Sequence, residues 1–161
     1  MISISRAQTE DLEAILKLQY AAYQSEALLH DNFTIQPLTQ TLDQVIEEYH
    51  KGVILKAVLA AKLPAIQDDV IIGSVRAFLK NDVVYIGKLM VHPEHQGNGL
   101  GRLLLAAIEK EFSGYRYELF TACKNYRNLH LYETSGYTRF KDETGEDGIR
   151  FAFFEKFEKA V

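Results

Sequence analysis

A single cysteine, Cys123, in 161 residues leaves no internal disulfide framework to staple the fold. No apolar run is long enough to span a bilayer, so membrane insertion is not expected. The N-terminus lacks a basic region followed by an apolar core, the pattern of a secretory leader, and a cytoplasmic protein is expected. Positive charge is not in excess. Eighteen Lys and Arg stand against 22 Asp and Glu, a formal net charge of −4, which argues against a nucleic-acid partner. Repeats, low-complexity tracts and linkers are also missing. The chain reads as one domain over residues 1–161, long enough to bury one substantial core.

The most informative stretch that is present runs from Val91 to Arg102. Before it, residues 83–91 are apolar and β-branched and read as a strand. After it, Leu100, Leu103, Leu104, Ala107, Ile108 and Phe112 recur at helical spacing. Gly97, Gly99 and Gly101 therefore mark a strand-to-helix turn. Glycine there permits positive φ and close approach of a ligand to the backbone. A helix starting near Gly99 offers unpaired N–H groups and the positive end of its dipole, a recipe for binding phosphate. The plain alternative is a tight turn with no ligand. A Walker loop is ruled out because Gly101-Arg102-Leu103 lacks the Gly-Lys-Ser/Thr ending. The dinucleotide pattern G-x-G-x-x-G fails too, with Arg102 or Leu104 in its last place.

The rest of the chain alternates helices and strands. Residues 2–5 read as a strand, and Thr9 as the cap of a helix carrying Leu12, Ile15, Leu16, Ala22 and Tyr23. The helical pattern weakens between Ala22 and Gln40. Thr41-Leu42-Asp43-Gln44 reads as a capping box for a second helix ending at Gly52. Strands follow at 53–59, 70–79 and up to Val91, forming an antiparallel meander with a turn at 60–69. A strand at 117–123, a helix at 125–135 stopped by Gly136, and a hairpin of 137–141 with 149–157 complete the chain.

The pattern Q/R-x-x-G-x-G/A, here Gln96-Gly97-Asn98-Gly99-Leu100-Gly101, resembles the acyl-CoA pyrophosphate loop of the GNAT superfamily of N-acyltransferases. The order β-α-α-β-β-β-α-β-α-β-β resembles the same fold along the whole chain. That resemblance implies an α/β (α+β) protein with a mixed, mostly antiparallel sheet of six to seven strands and about four helices. It implies acetyl-CoA as acyl donor and no metal. By it, Gln96, Gly97, Asn98, Gly99, Leu100, Gly101 and Arg102 hold the pyrophosphate, and Leu89, Met90 and Val91 pair with the pantetheine arm. A second segment, from Asn125 to Tyr137, resembles the family pattern of Asn, then Leu-Tyr, then Gly-Phe/Tyr. Asn125 would then bond the pantetheine, and Tyr132 would sit by the sulfur and protonate or hydrogen-bond the departing thiolate. The alternatives are an N-cap for Asn125 and a core residue for Tyr132.

Many family members carry an acidic residue before the Leu-x-Val of the strand, whereas this chain has Gly87-Lys88. The base that deprotonates the acceptor is left open among water relayed by Tyr85, Glu26, Glu118 or His92. No Lys or Arg occurs between Leu18 and His50, while Glu26, Asp31, Asp43, Glu47 and Glu48 do. An acidic cleft wall there would favour a cationic small-molecule amine, with Glu26, Asp31 and Tyr85 as acceptor contacts; a solvated helix face is the other reading. His92 and His95 are read as loop residues, since a metal needs more ligands at a recognisable spacing. Cys123 is read as a small core residue. Phe151, Phe153, Phe154 and Phe157 are read as core, with a sheet-edge homodimer contact as the alternative. Three activities are carried forward: a small-amine N-acetyltransferase, a protein or peptide N-acetyltransferase, and a non-catalytic acyl-CoA-binding module. A nucleotide-binding regulatory domain using the same loop is a further alternative.

Overall fold

A computed structural model describes residues 1–60 and 69–157. Its centre is a seven-stranded sheet in the order β1-β2-β3-β4-β5-β7-β6. The strands are β1 (Ile2–Arg6), β2 (Val53–Leu59), β3 (Val70–Lys80), β4 (Val83–Val91), β5 (Arg116–Ala122), β6 (Thr138–Thr144) and β7 (Arg150–Phe157). Six helices join them: α1 (Leu12–Ala22), α2 (Gln24–His30), α3 (Gln36–Thr39), α4 (Leu42–Lys51), α5 (Leu100–Glu111) and α6 (Tyr126–Thr134). The meander β2-β3-β4 is antiparallel as expected, and the β4–β5 pairing is parallel. Most of the expected turn at 60–69 lies outside the described residues.

The sheet is covered on both faces where its strands read as continuous apolar runs. In β2 the neighbours Ile54 and Leu55 are both buried, in different clusters. Ile54 packs with Leu12, Ile15, Leu16 and Val45 of α1 and α4. Leu55 packs with Leu104, Leu105 and Ile108 of α5. Successive strand residues point to opposite faces, so α1 and α4 cover one side and α5 the other.

Local chemistry explains most boundaries. The Thr41 capping box forms: Gln44 N–H donates to Thr41 Oγ1 at 3.3 Å, and Thr41 N–H donates to Gln44 Oε1 at 3.0 Å. Thr9 is not a cap. It starts a short 3₁₀ turn, because Asp11 reaches back to accept from Gln8 N–H at 2.7 Å and makes Gln8 the capped position. Two short helices, α2 and α3, occupy the stretch of weak pattern and bring the helices among the described residues to six. Pro37 lies in the first turn of α3, where its missing N–H costs nothing. On α5 the buried stripe is Leu100, Leu104, Leu105 and Ile108, while Leu103 is 58% exposed. The phenylalanines of β7 divide by strand alternation. Phe154 is fully buried, Phe153 stacks on Phe120 of β5 at 5.1 Å between ring centres, and Phe157 is exposed. Cys123 lies just beyond β5, half-buried, with Arg139 Nη2 3.4 Å from its sulfur.

Candidate active site

Three features of the sheet centre define the site. The first is a split. β4 and β5 pair only at Val83–Arg116, Val84–Tyr117 and Tyr85–Glu118. From Ile86 onward β4 has no registered partner on its β5 side. Its backbone there is a free edge to which an extended ligand can add like a strand. Leu89, Met90 and Val91 belong to that edge. A bulge deforms it: the β3–β4 register shifts between Ser74 and Arg76, and Lys88 sits at φ +49°. A lysine in the left-handed region stores strain, and bulges re-aim side chains beside functional sites.

The second feature is the glycine turn. Gly97 and Gly99 have φ of +84° and +80°, and an added Cβ at either would meet nothing within 4 Å. These glycines are therefore required by backbone conformation, not by crowding. Gly101 differs, since a Cβ there would make ordinary contact with Leu131. Gly99 is the N-cap of α5, and no side chain caps the helix, so its first N–H groups face the loop without a protein side-chain acceptor. Leu100 is buried in the core, and Asn98 is exposed. Gln96 donates to Val91 O at 3.0 Å and accepts from Arg127 of α6. Arg102 donates to Thr134 Oγ1 and Ser135 Oγ, at 2.7 and 3.0 Å. Gln96 and Arg102 thus tie the loop to β4 and to α6 and its C-cap. Arg127, which sequence reasoning passed over, is the exposed cation beside the turn.

The third feature is a cleft of about 1260 Å³ at the split. One wall is aromatic: Phe78 and Tyr85, stacked at 5.3 Å, with Phe120 and Phe151. The opposite wall comes from α2, α3 and α4 and includes Tyr23, Glu26, His30 and Glu48. Tyr132 closes one end. It is 5% exposed, packed on Phe154 and Tyr137. Burial first, then the neighbouring Tyr23 and Glu26, raise its phenol well above the ordinary range. Tyr23 is pushed up to about 12, again mainly by burial. Both phenols therefore keep their protons throughout the neutral range.

Charge in the cleft is not what the segment free of Lys and Arg predicts. Of its five carboxylates only Glu26 and Glu48 line the cleft. Asp31 is the exposed left-handed C-cap of α2, at φ +48°, and does not line it. Glu48 is paired with Arg76, a buried strand arginine that also bonds Gln19 and Gln40. Lys88 donates to Gln36 Oε1 at 2.7 Å. Burial, then the nearby Arg76, push its amine down to about 8, with Glu48 opposing.

Asn125 does two jobs. Its Oδ1 accepts from Asn128 N–H at 3.1 Å, capping α6, and its Nδ2 donates to Glu26 Oε1. Glu26 Oε2 is 3.1 Å from His30 Nε2. His92 caps a 3₁₀ turn by accepting from Glu94 N–H at 3.2 Å, and Glu118 is paired with Arg116. Among the described residues, no group of three or more His, Cys, Asp or Glu is placed to hold a metal. None of the described helices is long and apolar enough to cross a membrane.

A family model described as an acetyltransferase (GNAT) domain matches residues 22–157. The chain belongs to the GNAT acetyltransferase family. It is an acyltransferase, and its mixed seven-stranded sheet is the GNAT fold. A comparison with curated proteins found no match in sequence. Solved GNAT structures align along the whole chain. The ribosomal-protein-S18-alanine N-acetyltransferase of Escherichia coli superposes with a TM-score of 0.76 at 18% identity, over 100% of this chain and 97% of that one. The acetyltransferase yncA of Salmonella typhimurium, solved with acetyl-CoA, gives 0.73 at 18% over 100% and 96%. A chimera of Vibrio cholerae spermidine N-acetyltransferase SpeG with hSSAT gives 0.70 at 19% over 97% and 95%. At these identities the likeness carries the fold and not the acceptor.

Proposed function

We propose that this GNAT enzyme moves the acetyl group of acetyl-CoA to a primary amine by direct attack, with no covalent enzyme intermediate. The observation that carries the reading is the split at Tyr85–Glu118, which opens a strand edge between an uncapped glycine turn and a buried tyrosine. The α5 N-terminus, with the backbone N–H groups of the turn from Gln96 to Arg102, would hold the pyrophosphate. Arg127 adds a cation there. The edge at Leu89, Met90 and Val91 would align the pantetheine amides, and a backbone N–H near Met90 would polarise the thioester carbonyl. Tyr132 would donate a hydrogen bond to the sulfur as its negative charge develops.

The acceptor in this reading is a small cationic amine with an apolar body. Its body would lie on Phe120, Phe151 and Tyr85, and its ammonium would face Glu26. Glu48 neutralises Arg76, while the remaining cleft lysines disfavour a second positive charge on the acceptor. The expected result is acetyl-CoA turnover with monocationic aralkyl or alkyl amines ahead of polyamines, amino acids and peptide N-termini, measured across such a panel. Turnover confined to peptides would reassign the acceptor to a protein. CoA binding without turnover on any amine would favour the non-catalytic module.

A further inference from the structure

The chemistry just proposed needs a base, because an ammonium ion cannot attack a thioester. β4 carries Gly87 and Lys88 instead of a carboxylate, and Glu118 is engaged with Arg116. His92 caps its own turn through Nδ1. The α2 wall of the cleft holds a better arrangement. Glu26 and His30 stand one helical turn apart, with side chains 15% and 6% exposed and 3.1 Å between Oε2 and Nε2. A carboxylate can only accept, so the shared hydrogen belongs to Nε2. The neutral ring then carries its lone pair on Nδ1, and no hydrogen bond reaches Nδ1 among the described residues. His30 lines the cleft that Tyr132 also lines. The carboxylate is itself held in place. Asn125 donates to its other oxygen, and the Asn125 amide cannot flip without losing the cap on Asn128 N–H.

We propose that His30 is the catalytic base of the acetyl transfer, with Glu26 fixing its tautomer and Asn125 fixing Glu26. This rests on the acetyltransferase reading above. The acceptor enters as an ammonium ion and gives one proton to His30 Nδ1, which passes it to solvent. The neutral amine attacks the thioester carbonyl carbon. The C–N bond forms and the C–S bond breaks. The nitrogen loses its second proton as the amide forms, and one proton ends on the departing thiol. One free proton is released per turnover. Glu26 stabilises the imidazolium formed in passing, as a carboxylate does in other carboxylate–histidine pairs. The other charged or titratable groups facing this cleft among the described residues are Tyr23 between α1 and α2, Lys51 at the end of α4, Lys80 at the end of β3, Tyr85 and Lys88 from β4, Tyr132 from α6, Glu146 and Asp147 from the β6–β7 turn, and the paired Arg76 and Glu48.

The test compares two acceptors in the full-length enzyme. One is an alkylamine, protonated at neutral pH. The other is an O-alkylhydroxylamine of similar size, largely neutral there. His30→Gln should lower kcat/KM for the alkylamine by about a hundredfold, the usual scale for a lost base. Its loss on the neutral nucleophile should be at least tenfold smaller. In His30→Gln the alkylamine rate should keep rising with pH toward the amine's own pKa, because only the free amine can then attack. In Glu26→Gln, where the ring loses the acceptor that fixes its tautomer, kcat for the alkylamine should fall more than kcat for the neutral nucleophile. Equal losses on both nucleophiles, or a His30→Gln profile like wild type, would overturn the assignment while leaving acetyl transfer intact. If His30→Gln fails to fold, equal kcat losses on the two nucleophiles in Glu26→Gln overturn it instead. Absence of turnover in the wild type on either nucleophile would overturn both readings together.

Discussion

Tyr132→Phe should lower kcat by about tenfold or more and leave the KM for acetyl-CoA less affected. A departing thiolate has an ordinary pKa of about 8.5, and tyrosine about 10. Burial and its neighbours raise Tyr132 above even that value. Its phenol is therefore too weak an acid to give its proton fully to sulfur, and in the proposed mechanism it would act as a hydrogen-bond donor to developing charge. Such a bond is strongest in the transition state, so its loss appears in kcat. The same shift fixes a sign. Because the phenol ionises only at strongly alkaline pH, any basic limb below about pH 10 must come from another group. The measurement is steady-state kinetics of wild type and Tyr132→Phe across pH, with the absence of a pre-steady-state burst showing that chemistry limits the rate. An unchanged kcat under that condition would remove Tyr132 from the mechanism.

Arg76→Met should be the most destabilising substitution near the cleft, at about 2–4 kcal/mol. Arg76 is 5% exposed inside the strand β3. It bonds Glu48 on α4, Gln19 on α1 and Gln40 beyond α3, and so fastens the helices of one face to the sheet. Gln19 and Gln40 are themselves buried, and Tyr20 and Gln19 add bonds to the backbone of Gln40 and Pro37. Methionine fills the volume but leaves the Gln19 carbonyl and Glu48 Oε2 without Arg76, while Glu48 Oε1 keeps its bond from Gln40 at 2.9 Å. Glu48 is 39% exposed at its side chain, which lets water recover part of the loss. Urea unfolding should show a lower midpoint at an unchanged slope. A midpoint equal to wild type would mean that this network does not hold the α1–α4 layer to the sheet.

How much was legible from sequence differs by the range of the interaction. The capping box at Thr41 and the glycine turn are short-range patterns, and each reads directly from neighbouring residues. The split between β4 and β5 follows from the family order of elements, but its position at Tyr85–Glu118 is a pairing fact visible only in three dimensions. His30 was missed for a definable reason. A carboxylate four residues before a histidine is an i,i+4 pair, but it means nothing unless the segment is helical. The pattern from Ala22 to Gln40 was too weak to show α2. Arg76 carries its own signal, a cation in the interior of the apolar strand Val70–Lys80. The acidic segment misled because charge was counted along the chain. Asp31 caps α2 at the surface, and Glu48 is neutralised by an arginine from another element.

The claim on which the rest depends is that the turn from Gln96 to Arg102 and the α5 N-terminus hold the CoA pyrophosphate through backbone N–H groups. Calorimetric titration of CoA into wild type and Gly99→Val tests it directly. Valine at φ +80° is strained by about 1–3 kcal/mol, and no neighbouring atom lies within 4 Å of its Cβ. The turn should therefore shift locally while the sheet and α5 remain. Unchanged circular dichroism with a CoA affinity about tenfold or more weaker is the predicted result, one tenfold step being about 1.4 kcal/mol. A folded Gly99→Val protein that binds CoA as tightly as wild type would contradict the account.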